Sequence, residues 1–177
     1  CSQREDLTGG RNLYHLIVNG GLTADSFLCS LLIHMFSSCG SLMDATKVFY
    51  ELDKPDAFSW NSIITAHTKY GLNDKAIQLF QIMRNSLIEP NGHVMVAVLK
   101  ACTSTETIQG KQIHAQVISV GFASNIFIAN SLISMYAKYG DFEHAKSIFN
   151  AFAERDVVTW NALIAGYVQG GCFEEAL

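Results

Sequence analysis

Proline is nearly missing from this chain, with only Pro55 and Pro90 among 177 residues. Helices are therefore rarely interrupted by the residue that breaks them most strongly. Charge is also scarce: 16% of residues are charged against 49% hydrophobic, which excludes a disordered tail. The formal net charge of −4 withholds the overall basic footprint that most nucleic-acid binders carry. No apolar run approaches the ~18 residues a membrane-spanning helix needs. The five cysteines (Cys1, Cys29, Cys39, Cys102 and Cys172) are odd in number and form no C-x-x-C pair. That argues against a disulfide framework or a structural zinc, and small buried thiols in helices are expected instead. Signatures of catalysis are missing too. The histidines (His15, His34, His67, His93, His114 and His144) build neither H-E-x-x-H nor H-x-E followed by C-x-x-C, and no Walker loop or G-x-S-x-G elbow occurs. No catalytic residue, metal, cofactor or small-molecule substrate is expected. His67 and His114 fall on apolar stripes and should pack.

What the chain does have is an internal echo. Asp56-Ala57-Phe58-Ser59-Trp60-Asn61-Ser62-Ile63-Ile64 returns one hundred positions later as Asp156-Val157-Val158-Thr159-Trp160-Asn161-Ala162-Leu163-Ile164. In each copy a Trp lies three and four residues ahead of an aliphatic pair, the spacing that gathers side chains on one helix face. The Asn beside each Trp lies off that stripe. The same shift brings Phe27, Leu32, Ile33, Met35, Gly40, Ala45 and Phe49 onto Phe127, Leu132, Ile133, Met135, Gly140, Ala145 and Phe149, and Gly71 and Ala76 onto Gly171 and Ala176. Val, Ile and Thr do not alternate in runs, so helices explain the pattern better than strands.

The super-repeat divides into three helical hairpins, residues 57–91, 92–125 and 126–156, of 35, 34 and 31 residues. In the first, Trp60, Ile63, Ile64 and His67 mark one helix and Gly71 the turn. Asn73 or Asp74 is expected to cap a second helix bearing Ala76, Leu79, Phe80 and Met83, and Pro90 closes the unit. Ahead lie a partial unit, 1–25, and a 31-residue unit, 26–56; a further unit opens at Val157 and runs to residue 177. The chain does not begin with Met and stops within a helical pattern, so it reads as a piece of a longer array. Each hairpin carries apolar residues on more than one face and cannot bury them alone. Stacking on its neighbours does so, which predicts an all-α fold, an α-solenoid of about five units. Small residues at matching places (Ala45, Ala76, Gly110 and Ala145) should let helices approach closely. Trp60 and Trp160 read as packing residues.

Ser59-Trp60-Asn61-Ser62-Ile63-Ile64, Gly71, Ala76-Ile77-Gln78-Leu79-Phe80, Met83 and Glu89-Pro90-Asn91 together resemble the pentatricopeptide repeat. Lengths of 35, 34 and 31 are similar to the P, L and S motifs of its plant PLS subfamily. Gly110-Lys111-Gln112-Ile113-His114-Ala115 resembles the second helix of an L motif, and Asn130 to Gly140 resembles an S motif. On this resemblance 1–25 is a partial L-type repeat, 26–56 S-type, 57–91 P-type, 92–125 L-type, 126–156 S-type and 157–177 a partial P-type repeat. The uniform 34-residue period of a tetratricopeptide array does not produce this alternation.

The resemblance implies sequence-specific binding of single-stranded RNA, one base per repeat, read by the fifth residue of the first helix and the last residue of the unit. The implied pairs are Ser30 with Asp56, Asn61 with Asn91, Val96 with Asn125, and Asn130 with Asp156. Asn161 has no partner, and the opening unit keeps only Asp25. An ionised Asp only accepts hydrogen bonds and suits a base edge with a ring N–H, whereas Asn both donates and accepts. Val96 offers no polar group, so its pair with Asn125 should read weakly. The implied preference is 5′-G-C/U-N-U-3′. Asp56 and Asp156 also lie where they can cap the next helix. Lys47, Lys69, Lys75, Lys100, Lys111, Lys138 and Lys146 are candidates for a phosphate path. The family further implies a mitochondrial or chloroplast address and selection of a transcript site for processing or C-to-U editing, with editing or ribonucleoprotein partners. The alternative is a protein-binding scaffold within an organellar ribonucleoprotein. No membrane contact is expected.

Overall fold

The computed structural model describes residues 2–22, 25–102, 107–122, 124–152, 155–172 and 174. Among them are ten α-helices and no strand: α1 (Ser2–Asn19), α2 (Ser26–Ser38), α3 (Leu42–Tyr50), α4 (Ala57–Lys69), α5 (Asn73–Asn85), α6 (Gly92–Ala101), α7 (Thr107–Ser119), α8 (Ile126–Lys138), α9 (Phe142–Ala151) and α10 (Val157–Gln169). The fold is all-α, of the helical-hairpin solenoid class. It divides within α6 into two compact units, Cys1–Val94 and Met95–Leu177. Cys1 and Ala176 lie outside the described residues.

In the first unit α2 and α3 form one hairpin, α4 and α5 another, and the first helices α2 and α4 lie side by side. Ile33, Phe36, Ile63, Ile64, Phe80 and Met83 are fully buried, each contributing roughly 1.5–3 kcal/mol of apolar transfer. Arg11 of α1 donates Nε and Nη2 to Asp44 Oδ2 of α3 at 2.9 and 2.7 Å, and Tyr14 donates its hydroxyl to Glu51. The second unit repeats the plan: α8 packs on α9 and on α10, and α7 rests against α8. Ala45, Ala76 and Ala145 are fully buried. At Gly110 an added Cβ would lie 2.7 Å from the Tyr139 ring and 3.0 Å from Met135 Sδ, so the α7–α8 approach requires a missing side chain.

Gly71 adopts φ +73°, and the turn around it ties Gly71 N to Thr68 O and Leu72 N to His67 O, both at 3.0 Å. This pairing satisfies the last carbonyls of α4 and needs a left-handed residue, which glycine supplies without strain. Gly140 repeats it after α8, with φ +74°. The turn corrects the expected cap: Leu72 is the N-cap of α5 and makes no side-chain cap bond, while Asn73 and Asp74 are already in the helix. Leu72 serves both as the last residue of one turn and as the entry to the next helix, so no position is left for a separate polar cap.

The two tryptophans differ. Phe49 meets the Trp60 ring edge-on with centroids 4.7 Å apart, and Phe149 meets Trp160 at the same distance. Yet Trp60 is 5% exposed and Trp160 50%. Trp60 lies on α4, against which α5 packs, and Trp160 lies on α10, the last described helix. The cysteines also depart in part from expectation. Cys29 and Cys102 are buried, but Cys39 and Cys172 sit half-buried in the turns after α2 and α10; these four thiols form no disulfide. His67 is buried as expected, with Nδ1 2.9 Å from Ile63 O. His114 is only half-buried and bonds Tyr136 Oη at 2.9 Å.

Two stability predictions follow from this packing. Trp60→Ala should cost about 3–5 kcal/mol in denaturant unfolding, as for a packed aromatic; a loss well below about 1 kcal/mol would contradict that packing. Burial, with a smaller effect of Lys75, holds the His67 imidazole below its ordinary value. The unfolded chain then takes up a proton near pH ~6.5 that the native state refuses. Stability should fall as pH drops below about 6.5, and His67→Phe should flatten that slope; an unchanged slope would show that His67 is not its source.

Candidate nucleic-acid interface

Every helix begins with backbone N–H groups that have no partner within the helix. Here the last residue of one unit supplies the acceptor for the next. Asp25 Oδ1 accepts from Phe27 N and Leu28 N at 3.0 and 3.1 Å, and Asp56 Oδ1 accepts from Ser59 N at 2.8 Å. Asn91 Oδ1 accepts from Val94 N at 3.0 Å. Asn125 Oδ1 accepts from Phe127 N and Ile128 N at 3.0 and 3.2 Å, and Asp156 Oδ1 from Thr159 N at 2.7 Å. Residue types with a short polar side chain suit this role, and a carboxylate gains further from the helix dipole. Hydrogen bonds from the Thr159 hydroxyl and then its backbone hold the Asp156 carboxyl below its ordinary range.

The fifth residues of the first helices stand in different states. Ser30 is completely buried and donates Oγ to Ser59 Oγ at 2.9 Å; Ser59 in turn donates to Asp56 Oδ1 at 2.7 Å. Asn130, 8% exposed, points Nδ2 at Asp156 Oδ1 over 3.5 Å, and its buried Oδ1 has no partner. Ser30 with Asp56, and Asn130 with Asp156, are thus brought into one hydrogen-bonded group each. The other two pairs are not. Asn61 is half-buried and accepts from Thr65 Oγ1 at 3.4 Å, while Asn91 caps α6. Val96 is half-buried and Asn125 caps α8; Asn161 is exposed.

In the second unit the fifth residues Val96, Asn130 and Asn161 line a single groove of about 380 Å³, with Lys100 and Lys138 among its walls. In the first unit a smaller groove of about 140 Å³ runs between α2 and α4 and is lined by His34, Phe58, Asn61 and Lys69. Of the other cations, Lys47 lies over the Tyr14 ring and Lys111 stands 3.9 Å from Asp141. Sequence reasoning missed the apolar side chains at the groove mouths. Phe27 and Phe58 stack with centroids 6.0 Å apart while remaining exposed, and Phe127 and Val158 hold the matching places, also exposed. Their signal was recurrence at the second residue of α2, α4, α8 and α10. Ser59 and Thr159, three residues after the cap and two before Asn61 and Asn161, were missed as well.

Grooves of this kind offer apolar faces, amide and hydroxyl groups and nearby ammonium groups, which is the chemistry that grips a planar polar ring beside a phosphate. Among the described residues no group of three His, Cys, Asp or Glu could hold a metal, and no helix is long and apolar enough to cross a membrane.

Comparison with known proteins agrees with the repeated plan. The PPR repeat family model matches residues 55–104, and the PPR repeat model matches 27–54, 127–157 and 158–177. Among Arabidopsis thaliana proteins, the pentatricopeptide repeat-containing protein At5g16860 is 37% identical over all of this chain and 21% of its own length. The chloroplastic pentatricopeptide repeat-containing protein At4g18520 is 34% identical over all of this chain and 29% of its own length. This chain therefore spans well under a third of these relatives. The crystal structure of the pentatricopeptide repeat protein PPR10 from maize superposes with a TM-score of 0.68 at 24% identity, covering 83% of this chain and 22% of that one. By its repeats, its helical hairpins and these matches, the chain belongs to the pentatricopeptide repeat family.

Proposed function

We propose that this segment binds single-stranded RNA in sequence-specific fashion, one base per hairpin, and performs no chemistry on it. One observation carries the reading: the fifth residues of three successive first helices, Val96, Asn130 and Asn161, line one groove with Lys100 and Lys138. Asn130 lines this groove and directs its amide Nδ2 toward Asp156 Oδ1 at 3.5 Å. First helices starting at Ser26, Ala57, Gly92, Ile126 and Val157 support S-type, P-type, L-type, S-type and partial P-type units in that order.

The base preferences follow from donors and acceptors. Asp156 accepts and Asn130 offers an amide, which suits uracil; Asn61 with Asn91 suits cytosine or uracil. Ser30 is wholly buried, so the Ser30 and Asp56 pair acts on a guanine chiefly through Asp56. Val96 with Asn125 discriminates little. The segment then favours 5′-G-C/U-N-U-3′. Three legible bases at about 1–3 kcal/mol each give roughly 3–9 kcal/mol before association costs of several kcal/mol, so tight binding needs further repeats. Several relatives are named chloroplastic or chloroplastic/mitochondrial, which supports an organellar address and a role in selecting a transcript site for processing or editing.

In the intact protein, Asn91→Asp should move preference toward uracil at one base only, by about tenfold or more. A uniform loss across RNA sequences would overturn the reading. Raising salt should weaken binding steeply as lysine–phosphate contacts are screened; a protein-binding scaffold would have no RNA affinity to lose.

A further inference from the structure

The caps at unit boundaries fall into two conformational classes. Asp56 and Asp156 have ψ 177° and 173°, whereas Asp25 and Asn125 have ψ 99° and 116°. The classes track the third residue of the helix being capped. After Asp56 and Asp156 it is Ser59 and Thr159; after Asp25 and Asn125 it is Leu28 and Ile128. Where a hydroxyl stands there, it donates to Asp Oδ1 at 2.7 Å, on the same oxygen that takes the residue's own N–H. At Asp25 and Asn125, where it is aliphatic, the cap oxygen takes two successive backbone N–H groups instead; Asn91, also followed by an aliphatic third residue, takes the Val94 N–H.

The hydroxyl class also draws in the fifth residue of the preceding first helix. Ser30 donates to Ser59, and Asn130 reaches Asp156 Oδ1 directly. At the Asn91 boundary the third residue is Val94, fully buried like Thr159, and Asn61 bonds Thr65 instead. The bonds from Ser59 to Asp56, and from Thr159 and Asn130 to Asp156, fall on Oδ1, and the Val158 backbone N–H further supports the Asp156 carboxylate. An oxygen that already accepts a 2.7 Å hydroxyl bond and a backbone N–H has little capacity left. Oδ2 then remains as one acceptor in a fixed direction, matched to one ring N–H.

We propose that Ser59 and Thr159 are positioning residues: their hydroxyls hold the Asp carboxylate by one oxygen and so set the base discrimination of Asp-ended units. The inference rests on the base-reading function proposed above. A hydroxyl serving the cap alone would affect stability but leave base preference untouched. The lowered proton affinity of Asp156, caused first by the Thr159 hydroxyl, agrees with a carboxylate kept ionised in this seat.

The test is base-by-base RNA binding by the intact protein, with folding followed by circular dichroism. Thr159→Val keeps the shape and the backbone N–H but removes the hydroxyl. It should reduce discrimination at the Asn130 and Asp156 base from roughly tenfold to under about twofold, and Thr159→Ser should restore it. Asp156→Asn is the control for base reading itself. If it leaves preference unmoved, base reading fails and this inference with it. If it shifts preference while Thr159→Val does not, positioning alone is overturned. Should Thr159→Val fail to fold, the gain experiment decides. Val94→Thr added to Asn91→Asp should raise uracil preference several-fold over Asn91→Asp alone, and no gain would overturn the proposal.

Discussion

The first turn of each first helix exposes N–H groups that must find acceptors, and the chain meets that demand with a side chain from the preceding unit. Because the acceptor is the last residue of the unit before, one residue ends a hairpin and starts the next helix. That junction fixes how the chain enters each first helix. Loss of a cap costs ~1 kcal/mol in ordinary helices, so the junction is a local constraint with limited energy. Its larger consequence is geometric. It holds the Asp56 and Asp156 carboxylates beside Ser30 and Asn130, where α2 and α4, and α8 and α10, run side by side. In the proposed reading, fold and recognition surface share the same atoms.

Charge illustrates why totals mislead. A chain of net charge −4 looks unsuited to nucleic acid, but fields in salt solution act only over about 10 Å. Lys69 lines the groove of one unit, and Lys100 and Lys138 that of the other. Other charges neutralise one another away from the grooves: Arg11 holds Asp44, and Lys111 stands 3.9 Å from Asp141. Hydrogen bonds and charge from Arg11 and Ser41 outweigh the effect of burial and keep the Asp44 carboxyl below its ordinary range.

Much of this architecture was legible in the residues. The hundred-residue echo, the glycine turns at Gly71 and Gly140, and the buried stripe through Trp60, Ile63 and Ile64 announced helical hairpins because helix periodicity depends only on local spacing. The capping option for Asp56 and Asp156 was legible for the same reason. Other features depend on three-dimensional neighbours. Leu72 displaced Asn73 and Asp74 as the cap because two turns share a residue. Leu87, at φ 58° and 92% exposed, occupies a left-handed position where glycine is usual, and nothing in its own identity signals that. Ser30 looked like a presented side chain, yet its hydroxyl is buried against Ser59, a partner twenty-nine positions away. The hydroxyls of Ser59 and Thr159 went unread because serine and threonine near a helix start have an ordinary capping explanation.

The most direct test is selection from a pool of single-stranded RNA with a randomised window, using the intact protein at moderate salt. The account predicts a spaced pattern within the enriched sequences: guanine, then a pyrimidine, then an indifferent position, then uracil. Enrichment without that spacing, or a pool that emerges unchanged, would contradict the claim that the unit-boundary residues read bases.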